Sequence, residues 1–596
     1  MVKICFLCCN YHICPFSVTD VPAIFLHGLL QDISMAVMIA VPTWTVTAMA
    51  VLFPRTPLRA MLAPWYMVLT FCMAFIYWGD IILYGVWGFK LNYAIFSYIS
   101  SPGEGTASMT WWYIISCVLL ILGTMLVLGG GGIIITPRRL HVTGKRFARV
   151  RYILVVSAVL GLLASAQWLA PSALSRGYYS DCLLRNHATQ NPLYTLGTSS
   201  IMSNRPFHRQ FQTLSPQERE EYFDGLYPCT DGLTDTLLTH PDPNVLVIQL
   251  ESQSSIFTEE LGGISGVTPN QSRLMGEGIL FSRVYANSFR TDRGTVSAFS
   301  GYVSFPSTSL MLQKDIRTGL PSLAKSLARA GYSTEYIYGG NLSGMEANEY
   351  LAAAGYTRQT DMYDLAPKGT TIVSAAPDSL SAQYVFETIR EKPLAEKWHI
   401  VYQTITSHEP FKAPARILPN DTLNAFAYTD AAIGRLADSL RTVPEVWDNL
   451  LIVIIPDHGC MFRRSYEDND YFHIPMIWCG GAVRNPGTCV DIIMNQSDMA
   501  ATLLAQLELP HDEYPWSRNV LSPGYRHPSA YSTWPSGFVF VDESGVSSYD
   551  IYGSYIIGEY PVDEGHERLK RGQAILQTSY LHLDSIANME RLTCSP

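Results

Sequence analysis

The chain has 596 residues and a formal net charge of −10, with a pI near 5.8. That length exceeds what one core holds and predicts about two to four structural units. The acidic balance, without any patch of interleaved basic and aromatic residues, excludes a nucleic-acid partner, because a polyanion is repelled rather than steered in.

A mean hydropathy of +0.11 hides a division. Apolar residues concentrate before residue 171, where four runs, Met35–Phe53, Pro64–Trp87, Trp111–Ile135 and Tyr152–Ala170, approach the ~20 apolar residues needed to cross a bilayer core of ~30 Å. None contains Lys or Arg, and the one acid among them is Asp80. An intramembrane acid is a functional candidate by default, but Asp80 lies near the end of its run, where simple hydration accounts for it.

Short loops rich in Lys and Arg face the cytoplasm. Arg55 and Arg59 follow the first run, and Arg138, Arg139, Lys145, Arg146, Arg149 and Arg151 separate the third from the fourth. The loop 88–110 has only Lys90 as a positive charge. This parity predicts a multi-pass protein of the cell (inner) membrane with everything after Ala170 extracytoplasmic or periplasmic. It also places 21–34 outside, so the segment VKICFLCCNYHICPF is either the end of a truncated fifth span or a short end of a four-span chain. Its cysteines Cys5, Cys8, Cys9 and Cys14 fit an unstructured or membrane-embedded end.

Six of the twelve cysteines, Cys182, Cys229, Cys460, Cys479, Cys489 and Cys594, fall in the exported part. Their spacing forms neither a disulfide framework nor a zinc CxxC pair, so at most one bridge is expected. Residues 172–242 read as a linker, with a helical stretch at 215–227. From 243 to 525, short apolar runs alternate with helical ones, the pattern of a parallel sheet covered on both faces. Strands are predicted at 245–250, 280–286, 334–339, 399–405 and 450–456, and helices at 321–331, 429–442 and 497–509. From 526 to 596, alternating Tyr- and Gly-rich runs predict a small antiparallel subdomain followed by a helix near 565–590. The expected fold class is therefore a multi-pass α-helical membrane domain (1–171), an exported three-layer α/β domain and a small C-terminal α+β subdomain.

Open α/β sheets bind ligands beyond the carboxyl ends of their strands. Four marked stretches fall there: Glu251 after VLVIQL, Thr291 after LFSRVYA, His408 beyond HIVYQTI, and Asp457 and His458 after LLIVIIP. Two carboxylates, an imidazole and a hydroxyl suit Mn²⁺, Mg²⁺ or Zn²⁺, and a divalent cation activates an otherwise poor threonine nucleophile. A helix starting at Thr291 would offer backbone N–H groups to a phosphoryl oxygen. Arg290 and Arg293 are candidates for stabilising that anion, with a solvated surface role as the alternative.

In this order, NVLVIQLES, SFRTDRGT, TSHEPF and IIPDHG resemble the lipoteichoic acid synthase and phosphoglycerol transferase family, a sulfatase-like branch of the alkaline phosphatase superfamily. The resemblance spans roughly 244–515. It implies Glu251, Thr291, Asp457 and His458 as ligands of one divalent ion, Mn²⁺ preferred, with Thr291 as nucleophile. His408 would bind the substrate phosphate or assist the leaving group, and His473 would contact the phosphate or a second metal, or simply be a buried structural residue. It further implies transfer of a phosphoglycerol-type group from a membrane lipid such as phosphatidylglycerol to an extracytoplasmic glycan or lipid. The run after Thr291 departs from the family's synthases, and Asn341 stands where relatives often carry an acid, which leaves donor and acceptor open. No C-x-P-x-R-like context for a formylglycine occurs in the exported part, which sets phosphorus chemistry above a sulfatase-like hydrolase. A phosphoethanolamine transferase is a near alternative, and a non-catalytic membrane-anchored binding protein is the rival of another class.

Overall fold

The computed structural model describes residues 2–11, 13–93, 95–96, 111–169, 174–203, 205–228, 234–366 and 375–593. Cys229, Cys594 and the predicted boundary at Ala170 and 171 lie outside them. The chain divides into two compact units, Met1–Asn204 with Asp550–Ile557, and Arg205–Tyr549 with Gly558–Pro596.

In the first unit, four helices are long and apolar enough to cross a membrane: Asp20–Leu52, Leu58–Gly85, Ile114–Ile135 and Arg146–Ser165. The first begins 15 residues before the predicted apolar run (35 − 20) because its polar start has partners. Lys3 pairs with Asp32 at 2.6 Å, and Asn191 donates to Asp32 at 2.9 Å. Asp80 is not hydrated as expected. It is buried at 2 % exposure, ion-paired with Lys90, and accepts the Leu91 N–H at 2.9 Å. The cysteine-bearing segment is likewise ordered, as the helix Val2–Cys9, with Phe6 and Leu7 buried against Ile81, Tyr84, Leu184 and Ala188. Cys14 is bonded to Cys182, whereas Cys460, Cys479 and Cys489 are free. The stretch read as a linker is divided: the helices Leu183–Thr189 and Pro192–Ser203 belong to the first unit, and Pro216–Phe223 to the second.

The second unit is built on one sheet of β1 (Asn244–Leu250), β2 (Ile279–Tyr285), β3 (Ser333–Tyr338), β4 (Arg358–Thr360), β5 (Trp398–Gln403), β6 (Leu450–Pro456), β7 (His473–Cys479), β8 (Thr488–Val490) and β9 (Met494–Asn495). The order is β4-β3-β5-β1-β6-β7-β2-β8, with β9 beside β2. β1 and β6 are buried along their full length. Leu246, Ile248, Leu250, Ile452 and Ile454 pack with Val385, Ile389, Ile433 and Leu436 of the helices Asp378–Glu391 and Asp421–Arg441. Burial of odd- and even-numbered residues alike explains why these strands read as unbroken apolar runs.

The sheet is not wholly parallel, in contrast to the prediction, because β7 runs antiparallel to both β6 and β2. β7 contains Pro475, which cannot donate to a ladder. A register shift between Phe281 and Val284 sets Ser282 and Arg283 opposite Pro475 alone and accommodates the missing donor. Because β7 reverses direction once, β2 still runs with β6. The carboxyl ends of β1, β2, β5 and β6 therefore share one edge.

A second sheet comprises β10 (Ser529–Trp534), β11 (Gly537–Asp542), β12 (Gly545–Asp550) and β13 (Tyr555–Tyr560), antiparallel between β10 and β11. The helix Glu567–Thr593 follows it, with Gly572 against the Phe538 ring, where a Cβ would stand 2.2 Å away.

His399 on β5 is fully buried, and burial pulls its imidazole down to about 4. Its unfolded value near 6.5 lies above this, so the unfolded chain binds the extra proton first. Stability is thus complete above about pH 6.5 and falls by about 3 kcal/mol as pH drops to 4. Urea midpoints at pH 7 and 4.5 are expected to differ less in His399→Leu than in the wild type; equal differences would remove His399 as the cause.

A candidate metal centre beside a helix-borne hydroxyl

The ladder between β1 and β6 continues one step past the strands, with Asp457 N–H donating to Leu250 O at 2.9 Å. This brings Glu251 and the Asp457–His458 pair together. Glu251 is held by its backbone: its N–H donates to Thr404 Oγ1 at 3.0 Å, and its carbonyl accepts Ser407 Oγ at 2.8 Å. Asp457 Oδ1 accepts the N–H groups of Ser252 and His458 at 2.8 and 2.7 Å. Asp457 Oδ2 is buried with no hydrogen-bond partner.

Ligand atoms of Glu251, Asp457 and His458 all lie within 4.8 Å of one another. His458 Nε2 stands 3.8 Å from Glu251 Oε1 and 3.6 Å from Asp457 Oδ2. Its Nδ1 lies 2.7 Å from Gly459 O, which fixes the proton on Nδ1 and leaves the Nε2 lone pair for the cluster. Glu251 and Asp457 are buried at 1 % and 0 % exposure, and no Lys or Arg pairs with either among the described residues. Burial and the Asp457 carboxylate push Glu251 well above the usual carboxylate range. Two buried acids, an orphaned carboxylate oxygen and an imidazole with a free nitrogen fit a divalent cation, which would supply the missing positive charge.

Thr291 opens the helix Thr291–Ser300, with Arg290 as its extended N-cap at φ −152°. Thr291 Oγ1 lies 3.5 Å from Glu251 Oε2, so the hydroxyl joins the cluster. The helix reaches this position because residue 294 is glycine: a Cβ there would stand 2.0 Å from Asp457 O. Gly459 serves the same loop, since its Cβ would stand 1.8 Å from Tyr471 O.

The other predicted residues are placed as follows. His408 is exposed, and its Nδ1 lies 2.7 Å from Glu409 O, leaving Nε2 available. Buried Asp378 shapes its loop by accepting Ile405 N–H at 2.8 Å and Thr429 Oγ1 at 2.6 Å. Arg290 adjoins Thr291. Arg293 is engaged elsewhere: it pairs with Asp292 at 3.3 Å, donates to Phe305 O at 3.3 Å and stacks over Phe289 at 4.9 Å. His473 also lies outside the cluster, with Nε2 2.7 Å from Ser282 O in the bulge and its ring stacked on Tyr285. Asn341 Oδ1 closes a turn by accepting Ser343 N–H at 2.9 Å.

Sequence reasoning missed Ser252. Its φ of 55° is left-handed for a non-glycine residue, a strain that concentrates at functional sites. Its hydroxyl donates to Glu251 Oε1 at 2.6 Å and lies 3.4 Å from His458 Nε2. Only its position directly after a ligand-bearing strand end pointed to it.

Residues 243–509 match the sulfatase family model. Among solved structures, a protein of the alkaline phosphatase superfamily from Vibrio parahaemolyticus is similar with 20 % identity and a TM-score of 0.53, covering 63 % of this chain and 97 % of that one. The lipoteichoic acid synthase LtaP from Listeria monocytogenes is similar with 16 % identity and a TM-score of 0.51, covering 63 % and 98 %. At these identities the likeness is one of fold, and the fold of the large domain is sulfatase-like, as in LtaP.

Proposed function

We propose that this sulfatase-like chain moves a phosphoglycerol-type group from a phospholipid such as phosphatidylglycerol to an extracytoplasmic glycan or lipid, through a covalent ester on Thr291. The observation that carries this reading is the Thr291 hydroxyl, 3.5 Å from Glu251 at the head of a helix. Threonine cannot provide the aldehyde hydrate that sulfate ester hydrolysis uses in this fold, which favours phosphorus.

A divalent ion, Mn²⁺ in preference to Mg²⁺ or Zn²⁺, would be held by Glu251, Asp457, His458 and Thr291 Oγ1 and would lower the pKa of the hydroxyl. Thr291 Oγ1 passes its proton to solvent water and bonds to phosphorus, and the bond from phosphorus to the diacylglycerol oxygen breaks. At the helix start the N–H groups of Arg293 and Gly294 donate to Arg290 O, so those of Thr291 and Asp292 would be the ones to meet the phosphoryl oxygens. His408, with Nδ1 fixed, protonates the departing oxygen through Nε2 and then takes the proton of the acceptor hydroxyl. That hydroxyl bonds to phosphorus, the bond from phosphorus to Thr291 Oγ1 breaks, and Thr291 Oγ1 takes a proton back from solvent water. The four apolar helices confine the domain to the surface where a lipid donor is concentrated, and the charge of the short loops favours the outer face.

The test is intact-mass analysis of the full chain in detergent after incubation with Mn²⁺ and phosphatidylglycerol. A phosphoglycerol adduct on Thr291 with diacylglycerol release is expected. An ethanolamine phosphate adduct from a mixed lipid extract would instead assign ethanolamine phosphate transfer. Neither adduct nor diacylglycerol would sink the transferase reading and leave a binding protein.

A further inference from the structure

Gln496 lies behind the cluster, outside every role described so far. It is 0 % exposed and follows β9, the short strand beside β2. Its Nε2 donates to two carbonyls of the metal loop, Pro456 O at 2.6 Å and Asp457 O at 2.8 Å. Its Oε1 accepts the Asn287 N–H at 3.4 Å, and its own N–H donates to Tyr285 O at 2.8 Å. One carboxamide thus joins the loop that bears Asp457 and His458 to the segment that leads into Thr291.

That segment is braced from a second side. Asn287 Oδ1 accepts Ser497 N–H at 2.9 Å, and Asn287 Nδ2 donates to Tyr531 O at 3.3 Å. Asn287 O accepts Thr533 N–H at 2.9 Å. Ser532 Oγ donates to Ala286 O at 2.7 Å, and Asn495 ties Tyr285 O to the backbone of Tyr531. Three partners come from β10, so the first strand of the C-terminal subdomain clamps residues 286 and 287, five and four positions before the hydroxyl.

We infer that Gln496 is a positioning residue: with Asn287 and β10 as its brace, it sets the separation between Thr291 and the Glu251, Asp457 and His458 cluster. The inference rests on Thr291 as nucleophile for its kinetic part and on the metal cluster alone for its binding part. The chemistry requires both parts, because the reacting hydroxyl and the ligands follow different strands of the sheet, and misplacement by about 1 Å costs about 100-fold in rate. Partners that orient ligands typically change metal affinity or activity by about 10- to 100-fold when removed.

The test compares full-length wild type with Gln496→Met, which keeps the volume and deletes the hydrogen bonds. Manganese affinity is measured by calorimetry, kcat and KM with phosphatidylglycerol, and Tm by melting. The expected result is an affinity about 10-fold weaker and a kcat about 10- to 100-fold lower, with KM within about twofold. Unchanged affinity together with unchanged kcat per folded molecule, accompanied only by a lower Tm, would overturn the inference and leave Gln496 a packing residue. Should Gln496→Met fail to fold, Ser532→Ala removes one bond of the brace and is expected to lower kcat a few-fold at constant KM; no change would count against the brace. Absence of a Thr291 adduct in the wild type would defeat the functional reading, and the calorimetry alone would then decide the positioning claim.

Discussion

Thr291→Ala is expected to lower turnover by at least about 10⁴-fold, since removing a nucleophile leaves only binding and electrostatic stabilisation. The variant should fold normally. Residue 291 is the first of its helix, alanine is the best helix former, and a substitution away from the core usually changes stability by about 0.5 kcal/mol or less. Thr291→Ser, which keeps the hydroxyl, should retain measurable turnover and form the same adduct. Rates of diacylglycerol release per folded molecule, read beside the adduct mass, check both variants. Full activity in Thr291→Ala would redirect attention to Thr295 and Ser288. Thr295 is buried with Oγ1 accepting from Gln249 at 3.1 Å, whereas the Ser288 hydroxyl is buried with no partner.

Much of the sheet was legible because its strands are buried on both faces. β1, β2, β3, β5 and β6 lie within one or two residues of the stretches predicted from apolar runs. β7 was not, because Pro475 reads as a strand breaker until the bulge opposite it in β2 is known. The same bulge explains His473: the resemblance made it a site candidate, but the imidazole is spent on Ser282 O. Residue type and strand-end position brought up Glu251, Thr291, His408, Asp457 and His458 as candidates, since converging strand ends are a property of the fold class, and the resemblance narrowed them to a ligand set. Partnerships between distant side chains were not legible. Nothing in the sequence tells that Arg293 turns to Asp292 and Phe305, that Asp80 finds Lys90, or that Gln496 reaches two elements at once.

Chelation and charge removal should act in opposite directions on this domain. Without a cation, Glu251 and Asp457 are two buried acids with His458 as their one basic neighbour among the described residues, an arrangement whose desolvation and mutual repulsion destabilise the folded state. A bound ion adds stability by mass action, about 4 kcal/mol at a 1,000-fold excess over Kd. Adding EDTA should therefore lower the Tm of the wild type, and saturating Mn²⁺ should restore it. Glu251→Gln removes one of the two charges while keeping an acceptor for Ser252 Oγ, which now donates to Glu251 Oε1 at 2.6 Å. In EDTA this variant should melt above the wild type, by the equivalent of about 1–3 kcal/mol. In Mn²⁺ it should melt below the wild type, because its ligand set is incomplete. Melting curves of both proteins in both buffers give the crossing directly. A wild type indifferent to EDTA and Mn²⁺ would show that the cluster holds no ion, and a Glu251→Gln protein less stable in both buffers would show that the carboxylate is needed for packing rather than for a cation.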